Sequence, residues 1–299
     1  MNTNRVISSL IYNEIENVFE KFNEYPYVHV KGEVLSLYAY GDFGKRHVGD
    51  IDLLIPRPYL KYVENILSKC GFSCTNMSRT DKITMLSTSQ QIAPWRKHSA
   101  ILKNRPIEVD LNFDIFWGEY DGIRIDIDEF IADYVEMKIY GCRLKALNPL
   151  KTMIQLILHH YNDMNSLFLL ATRKSIPYNM FKDVYYLLIN NLDEITINRL
   201  YDLSDAYGIC PYVYYILYHT GLLFKDEVLK KYVSVFKSHE GEDIINCYGL
   251  HKYERREWKV DFITRVRSNN IYELIKDDMT EKDIEKIKLN KSIFMSRSV

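Results

Sequence analysis

The stretch Lys31–Ile55, KGEVLSLYAYGDFGKRHVGDIDLLI, decides how this chain is read. Its last six residues, Asp50-Ile51-Asp52-Leu53-Leu54-Ile55, predict a buried strand that opens on two carboxylates. Side chains two apart on a strand share a face, so Asp50 and Asp52 project together while Ile51 turns into the core. Carboxylates held that close repel, and a cation or a shared proton normally reconciles them. An oxygen-only pair suits Mg²⁺, which takes one or two carboxylates together with water and substrate phosphates.

The triplet alone is weak, and the chain repeats it at Asp126-Ile127-Asp128. There Glu129-Phe130-Ile131 follows instead of an apolar run, which predicts the acidic first turn of a helix. The residues upstream set Asp50 and Asp52 apart. Tyr27–Val30 is a short β-type run, Lys31-Gly32 follows directly, and Glu33–Tyr40 carries Val34, Leu35, Leu37 and Tyr38 at helical spacing. A strand, a glycine turn and a helix start present free backbone N–H groups that favour a phosphate. Lys31 adds a point charge there, and Lys45 and Arg46 in the following loop add more.

The order of strand, Lys-Gly, helix, Arg and Asp-x-Asp strand resembles the nucleotidyltransferase superfold. It is most similar to the bacterial family of uncharacterised nucleotidyltransferases with its KG, helix, R and DIDLL pattern. IEVDLNF at Ile107–Phe113 resembles that family's later strand, with Asp110 in the place of the third carboxylate and Asn112 where histidine is usual. Gly141–Leu147 and the helix running through His159 resemble the entry to its helical half. Two residues depart from the pattern: Glu33 replaces a small residue after the glycine, and Asn112 has no proton to exchange.

The resemblance implies an α/β (α+β) fold, with a mixed-sheet catalytic domain over 1–147 and an α-helical domain over 148–299. It implies Mg²⁺ held by Asp50, Asp52 and Asp110, phosphates neutralised by Lys31, Gly32, Lys45 and Arg46, and an NTP, ATP by expectation, as co-substrate. An NMP group would pass to an unidentified acceptor, a small molecule, sugar, peptide or protein hydroxyl, and pyrophosphate would leave. Its rival is a degenerate copy of the fold that only binds or regulates, with Glu33 and Asn112 as its grounds. A metal-dependent phosphohydrolase is a weaker third, because it leaves the Lys-Gly turn unexplained.

The rest of the chain bounds these readings. A length of 299 residues with 47% hydrophobic residues suffices for one large core or two moderate ones. A net charge of −1 supplies no general pull toward nucleic acid or an anionic membrane. Five scattered cysteines, Cys70, Cys74, Cys142, Cys210 and Cys247, read as reduced thiols. Neither a signal-type nor a membrane-spanning apolar stretch is read, so the expectation is a cytoplasmic protein.

Val6, Leu10, Ile11, Ile15, Val18, Phe19 and Phe22 predict an opening amphipathic helix. Tyr59–Cys70 predicts another, stopped by Gly71. Phe72–Thr75, Ile83–Ser87 and Ser99–Leu102 read as strands. Along Ile107–Phe113 the alternation puts Glu108, Asp110 and Asn112 on one polar face, so the residues leave Glu108 and Asp110 as rival ligands. The register of the resembling family favours Asp110.

Asn148-Pro149 opens a helix over Leu150–Tyr161. Further helices are predicted at Tyr178–Asn190, Ile195–Tyr207, Pro211–Phe224, Lys225–Lys237, Arg256–Val266 and Glu281–Leu289. The tyrosines of this half read as packing residues. His159 and His160 are adjacent on a helix and so point about 100° apart, which argues against a shared ion. Asp163, Asp183 and neighbouring tyrosines are the polar groups expected to meet an acceptor.

Overall fold

The computed structural model describes residues 3–46, 49–74, 78–102, 105–116, 123–173 and 175–294. Helix α1 (Thr3–Phe22) is followed by strand β1 (Val28–Val30), helix α2 (Gly32–Tyr40) and strand β2 (Ile51–Leu54). Then come α3 (Leu60–Lys69), β3 (Ser73–Cys74), α4 (Arg79–Thr88), β4 (Trp95–His98), β5 (Pro106–Asn112), α5 (Ile127–Ile131), β6 (Val135–Ile139) and β7 (Cys142–Ala146). The strands form a seven-stranded sheet in the order β3-β4-β5-β2-β1-β7-β6. It is mixed: β2 runs parallel to β5 and β1 parallel to β7, while β1 and β2 are antiparallel.

The period-2 pattern sorts the two faces of this sheet. Ile51, Leu53, Ile107, Val109 and Leu111 join one hydrophobic core with Ile11, Tyr12, Ile15, Val18 and Phe19 of α1 and Leu60, Val63 and Leu67 of α3. The other face of β2 and β5 carries the polar residues. His29 also enters the core, fully buried, in a 2.6 Å hydrogen bond with the Tyr12 hydroxyl. Burial lowers its pKa to about 4, so it is neutral at physiological pH.

The mixed sheet followed by helices is the architecture the sequence predicts. The chain forms two compact units, one from most of the chain up to Gln155 together with Asn190–Glu194, the other from Leu156–Ile189 and the chain from Ile195 onward. The division falls inside α6 (Pro149–Asn165), where the Asn148 side chain accepts a hydrogen bond from Lys151 N–H.

The second unit contains α7 (Leu167–Thr172), α8 (Tyr178–Ile189), α9 (Ile197–Ala206), α10 (Cys210–Phe224), α11 (Glu227–Phe236) and α12 (His239–Ile244). A two-stranded ribbon, β8 (Cys247–Tyr248) with β9 (Arg256–Glu257), then leads to α13 (Phe262–Arg267), α14 (Tyr272–Ile275) and α15 (Glu281–Phe294). Its tyrosines do pack: the Tyr161 ring lies 4.5 Å from Tyr212 and 5.1 Å from Tyr215. None of the five cysteines is in a disulfide. Among the described residues, no helix is long and apolar enough to cross a membrane.

Four local expectations are corrected. Ile83–Ser87 is helical, because Ser78 caps α4 by accepting from Asp81 N–H, and the Thr84, Ser87 and Thr88 hydroxyls bond back to carbonyls four residues earlier. Ser99–Leu102 is a turn closed on the Ser99 hydroxyl by the Ile101 and Leu102 amides, and the strand lies just before it. Only Ser73–Cys74 of the predicted Phe72–Thr75 strand is extended, and Thr75 lies outside the described residues. Arg256–Val266 splits into β9 and α13, because the Asp261 carboxylate caps a new helix start at Thr264 N–H.

Candidate active site

Strand pairing brings the predicted acids together. Asp52 lies directly opposite Asp110 in the parallel β2–β5 ladder, and Leu54 lies opposite Asn112. Both aspartates are nearly buried, at 5% and 9% exposure. Asp50 sits in the bend before β2, two residues from Asp52 in the chain. The bend is held from outside, since Arg105 donates to the Gly49 carbonyl at 2.6 Å.

A cation faces this cluster closely. The Lys31 ammonium donates to Asp52 Oδ1 at 3.1 Å, and both side chains are largely buried. The Asn112 amide donates to the same oxygen at 3.4 Å, so Asn112 steadies Asp52 and exchanges no proton. Asp110 Oδ1 is buried without a hydrogen-bond partner.

The electrostatics follow from that imbalance. Burial, then the charges of Asp52 and Asp50, push the Asp110 carboxyl up to about 8. Burial and Asp52 also raise Asp50, against the pull of Lys31 and Arg46. Buried acids that raise one another's proton affinity are short of positive charge.

Glu108 is occupied elsewhere. It pairs with Arg96 of β4 at 2.7 Å, directly across the antiparallel ladder, while Asp110 faces Asp52 across the parallel ladder to β2. Sequence alternation put both on one face but said nothing of the neighbouring strand.

The residues expected to meet a phosphate are built around an unusual turn. Lys31 takes φ 56°, a left-handed conformation that bulky residues rarely adopt, and Gly32 follows at φ 45°. The first backbone bond of α2 runs from Leu35 N–H to Lys31 C=O. The amides of Gly32, Glu33 and Val34 therefore lie ahead of the helix's own hydrogen bonding. The backbone amides of Lys45 and Arg46 turn inward to the Ser36 hydroxyl, at 3.2 and 3.3 Å. Ser36 was not singled out in the sequence, and its spacing of three from Glu33 on α2 is the signal that could have found it.

In the second unit, His159, His160 and Asp163 offer ligand atoms within 4.8 Å of one another, closer than their helical directions suggest. The Asp163 carboxylate is already engaged by Arg173 at 2.7 Å. Asp183, buried in α8, is 3% exposed.

Comparison with known proteins adds the following. The profile of a family described as uncharacterised nucleotidyltransferase matches residues 1–225. No curated protein matches the chain. Among solved structures, the chain is similar to an antigenic nucleotidyltransferase-like protein from Paracoccidioides brasiliensis. The identity is 13%, over 68% of this chain and 91% of that one, with a TM-score of 0.39, too loose a likeness to carry an argument.

Proposed function

The chain belongs to the uncharacterised nucleotidyltransferase family, and from that premise we propose that it transfers an NMP group from an NTP to an acceptor hydroxyl in a Mg²⁺-dependent reaction. The observation that carries this reading is the carboxylate cluster. Asp52 and Asp110 face each other in register, Asp50 lies two residues from Asp52 in the chain, and the buried Asp110 Oδ1 has no hydrogen-bond partner. Hard oxygen donors in excess of local positive charge fit a divalent cation such as Mg²⁺. Asp50, Asp52 and Asp110 would hold it. The chemistry a bound Mg²⁺ supplies is neutralisation of the triphosphate and a lowered pKa for the acceptor hydroxyl.

This chain's own residues do the rest. The Lys31 ammonium and the leading amides of α2 receive phosphate oxygens, with Arg46 and Lys45 adding charge from the loop. As the acceptor oxygen bonds to the α-phosphorus, the bond to the bridging oxygen breaks and pyrophosphate leaves with the electron pair. The proton of the acceptor hydroxyl leaves to solvent as the new bond forms, with Asp110 occupied as a metal ligand. The proposed reaction needs no covalent nucleophile, because phosphoryl transfer of this kind works by positioning and charge.

Glu33 no longer favours a degenerate binding module. Its carboxylate accepts from Gly44 N–H at 2.8 Å and from the Tyr140 hydroxyl at 3.3 Å, so its charge is engaged within the fold. The reading is tested by calorimetry of Mg·ATP on the parent and on the Asp50→Asn/Asp52→Asn double variant. Metal-dependent binding by the parent and its loss in a folded variant support the proposal. Equal affinity in both overturns it.

A further inference from the structure

Glu33 and Ser36 lie three residues apart on α2, so their side chains share one face, and both are fully buried. The loop Gly41–Arg46 runs past that face, and three of its successive amides end there. Gly44 N–H donates to Glu33 Oε2 at 2.8 Å, while the Lys45 and Arg46 amides donate to Ser36 Oγ. The Ser36 hydroxyl in turn donates to the Asp42 carbonyl at 2.9 Å. Tyr140 completes the set with its hydroxyl on Glu33 Oε1.

The loop is confined from its other side as well. Gly44 takes φ 70°, and a Cβ placed there would stand 2.7 Å from the backbone of Arg5. Arg5 itself pairs with Asp42 at 3.2 Å. These contacts fix where the Arg46 side chain starts.

We propose that Glu33 and Ser36 are positioning residues that clamp Asp42–Arg46 and so hold Arg46 at the Asp50 end of the carboxylate cluster, where it meets the phosphates of the nucleotide. The proposal rests on the nucleotidyl-transfer reading given above. A buried carboxylate is costly unless donors satisfy it, and Glu33 has two, so this acid has a site built for it. Arg46 stands four residues before Asp50 in the chain, so the clamped loop leads directly to the carboxylate cluster. A small residue at position 33 would leave the Gly44 amide without this acceptor.

The experiment measures two affinities by calorimetry: Mn²⁺ alone, and a non-hydrolysable ATP analogue in saturating Mn²⁺. Glu33→Ala should weaken the analogue about tenfold, the cost of one charge-assisted hydrogen bond that ordered the loop. Its affinity for Mn²⁺ alone should stay at the parent value. Glu33→Gln keeps an oxygen for the Gly44 amide and should fall within about threefold of the parent. Ser36→Ala should resemble Glu33→Ala, and it carries the test if Glu33→Ala does not fold.

Because the clamp acts through Arg46, Glu33→Ala made in an Arg46→Ala background should cost less than about twofold more. The clamp is overturned if Glu33→Ala binds the analogue like the parent. It is equally overturned if Mn²⁺ alone weakens in parallel, or if the two substitutions multiply. A parent that binds no nucleotide overturns the nucleotidyl-transfer reading itself, a result distinct from any of these.

Discussion

Replacing Asp110 by asparagine should stabilise the metal-free protein while removing its response to metal. Burial and the neighbouring acids push the Asp110 carboxyl from 3.8 up to about 8. The folded state therefore holds a proton that the unfolded chain gives up across that interval. Stability is full below the unfolded value, falls as pH rises, and reaches its minimum once pH passes the folded value. At about 1.4 kcal/mol per pH unit, the penalty reaches about 4 kcal/mol at pH 7.

The Asp110→Asn variant keeps the side chain's shape without the proton to lose, so its metal-free stability should no longer fall with pH through this position. The assay is thermal melting of parent and variant in chelator and in Mn²⁺, at about pH 5 and about pH 8. The parent in chelator should melt lower at the higher pH, and Mn²⁺ should restore it. The variant should melt above the parent at high pH in chelator and gain little from Mn²⁺. A parent insensitive to pH in chelator would refute the reasoning, as would a variant stabilised by Mn²⁺ as much as the parent.

Two further outcomes follow from the geometry. Glu108→Gln should cost transfer far less than Asp110→Asn, about severalfold against a hundredfold or more, because Glu108 is spent on Arg96. Comparable rates for the two in steady-state kinetics would contradict that assignment. Gly44→Ala should destabilise by at least about 1 kcal/mol in denaturant titration, since the residue has φ 70° and its Cβ would meet the Arg5 backbone at 2.7 Å. An unchanged midpoint would show that the loop is not confined as described.

Much of the fold could be read from the chain because local signals and tertiary demands agree there. The strand through Asp52, the helix after Lys31-Gly32 and the amphipathic α1 each carry the period that their burial requires. The Asp126-Ile127-Asp128 copy likewise opens a helix, with Asp126 accepting from Glu129 N–H. Elsewhere the deciding contacts lie far apart in sequence or on a cap. Ile83–Ser87 carries a β-type composition, and a single serine cap with hydroxyl back-bonds makes it helical. Periodicity placed Glu108 and Asp110 on one face, and only strand order put Arg96 beside the first and Asp52 beside the second. Glu33 read as an acid beside a phosphate site, because nothing in the local sequence announces that the loop after α2 folds back onto it.

The most direct test of nucleotidyl transfer at this cluster is to follow the label of an α-labelled NTP in cell extract supplemented with the protein and Mg²⁺. The account predicts that the label passes to an acceptor with release of pyrophosphate, that a chelator stops it, and that Asp52→Asn, folded as the parent, does not support it. Label transfer that persists in Asp52→Asn would contradict it, as would release of the γ-phosphate with the α-phosphate left on the nucleotide.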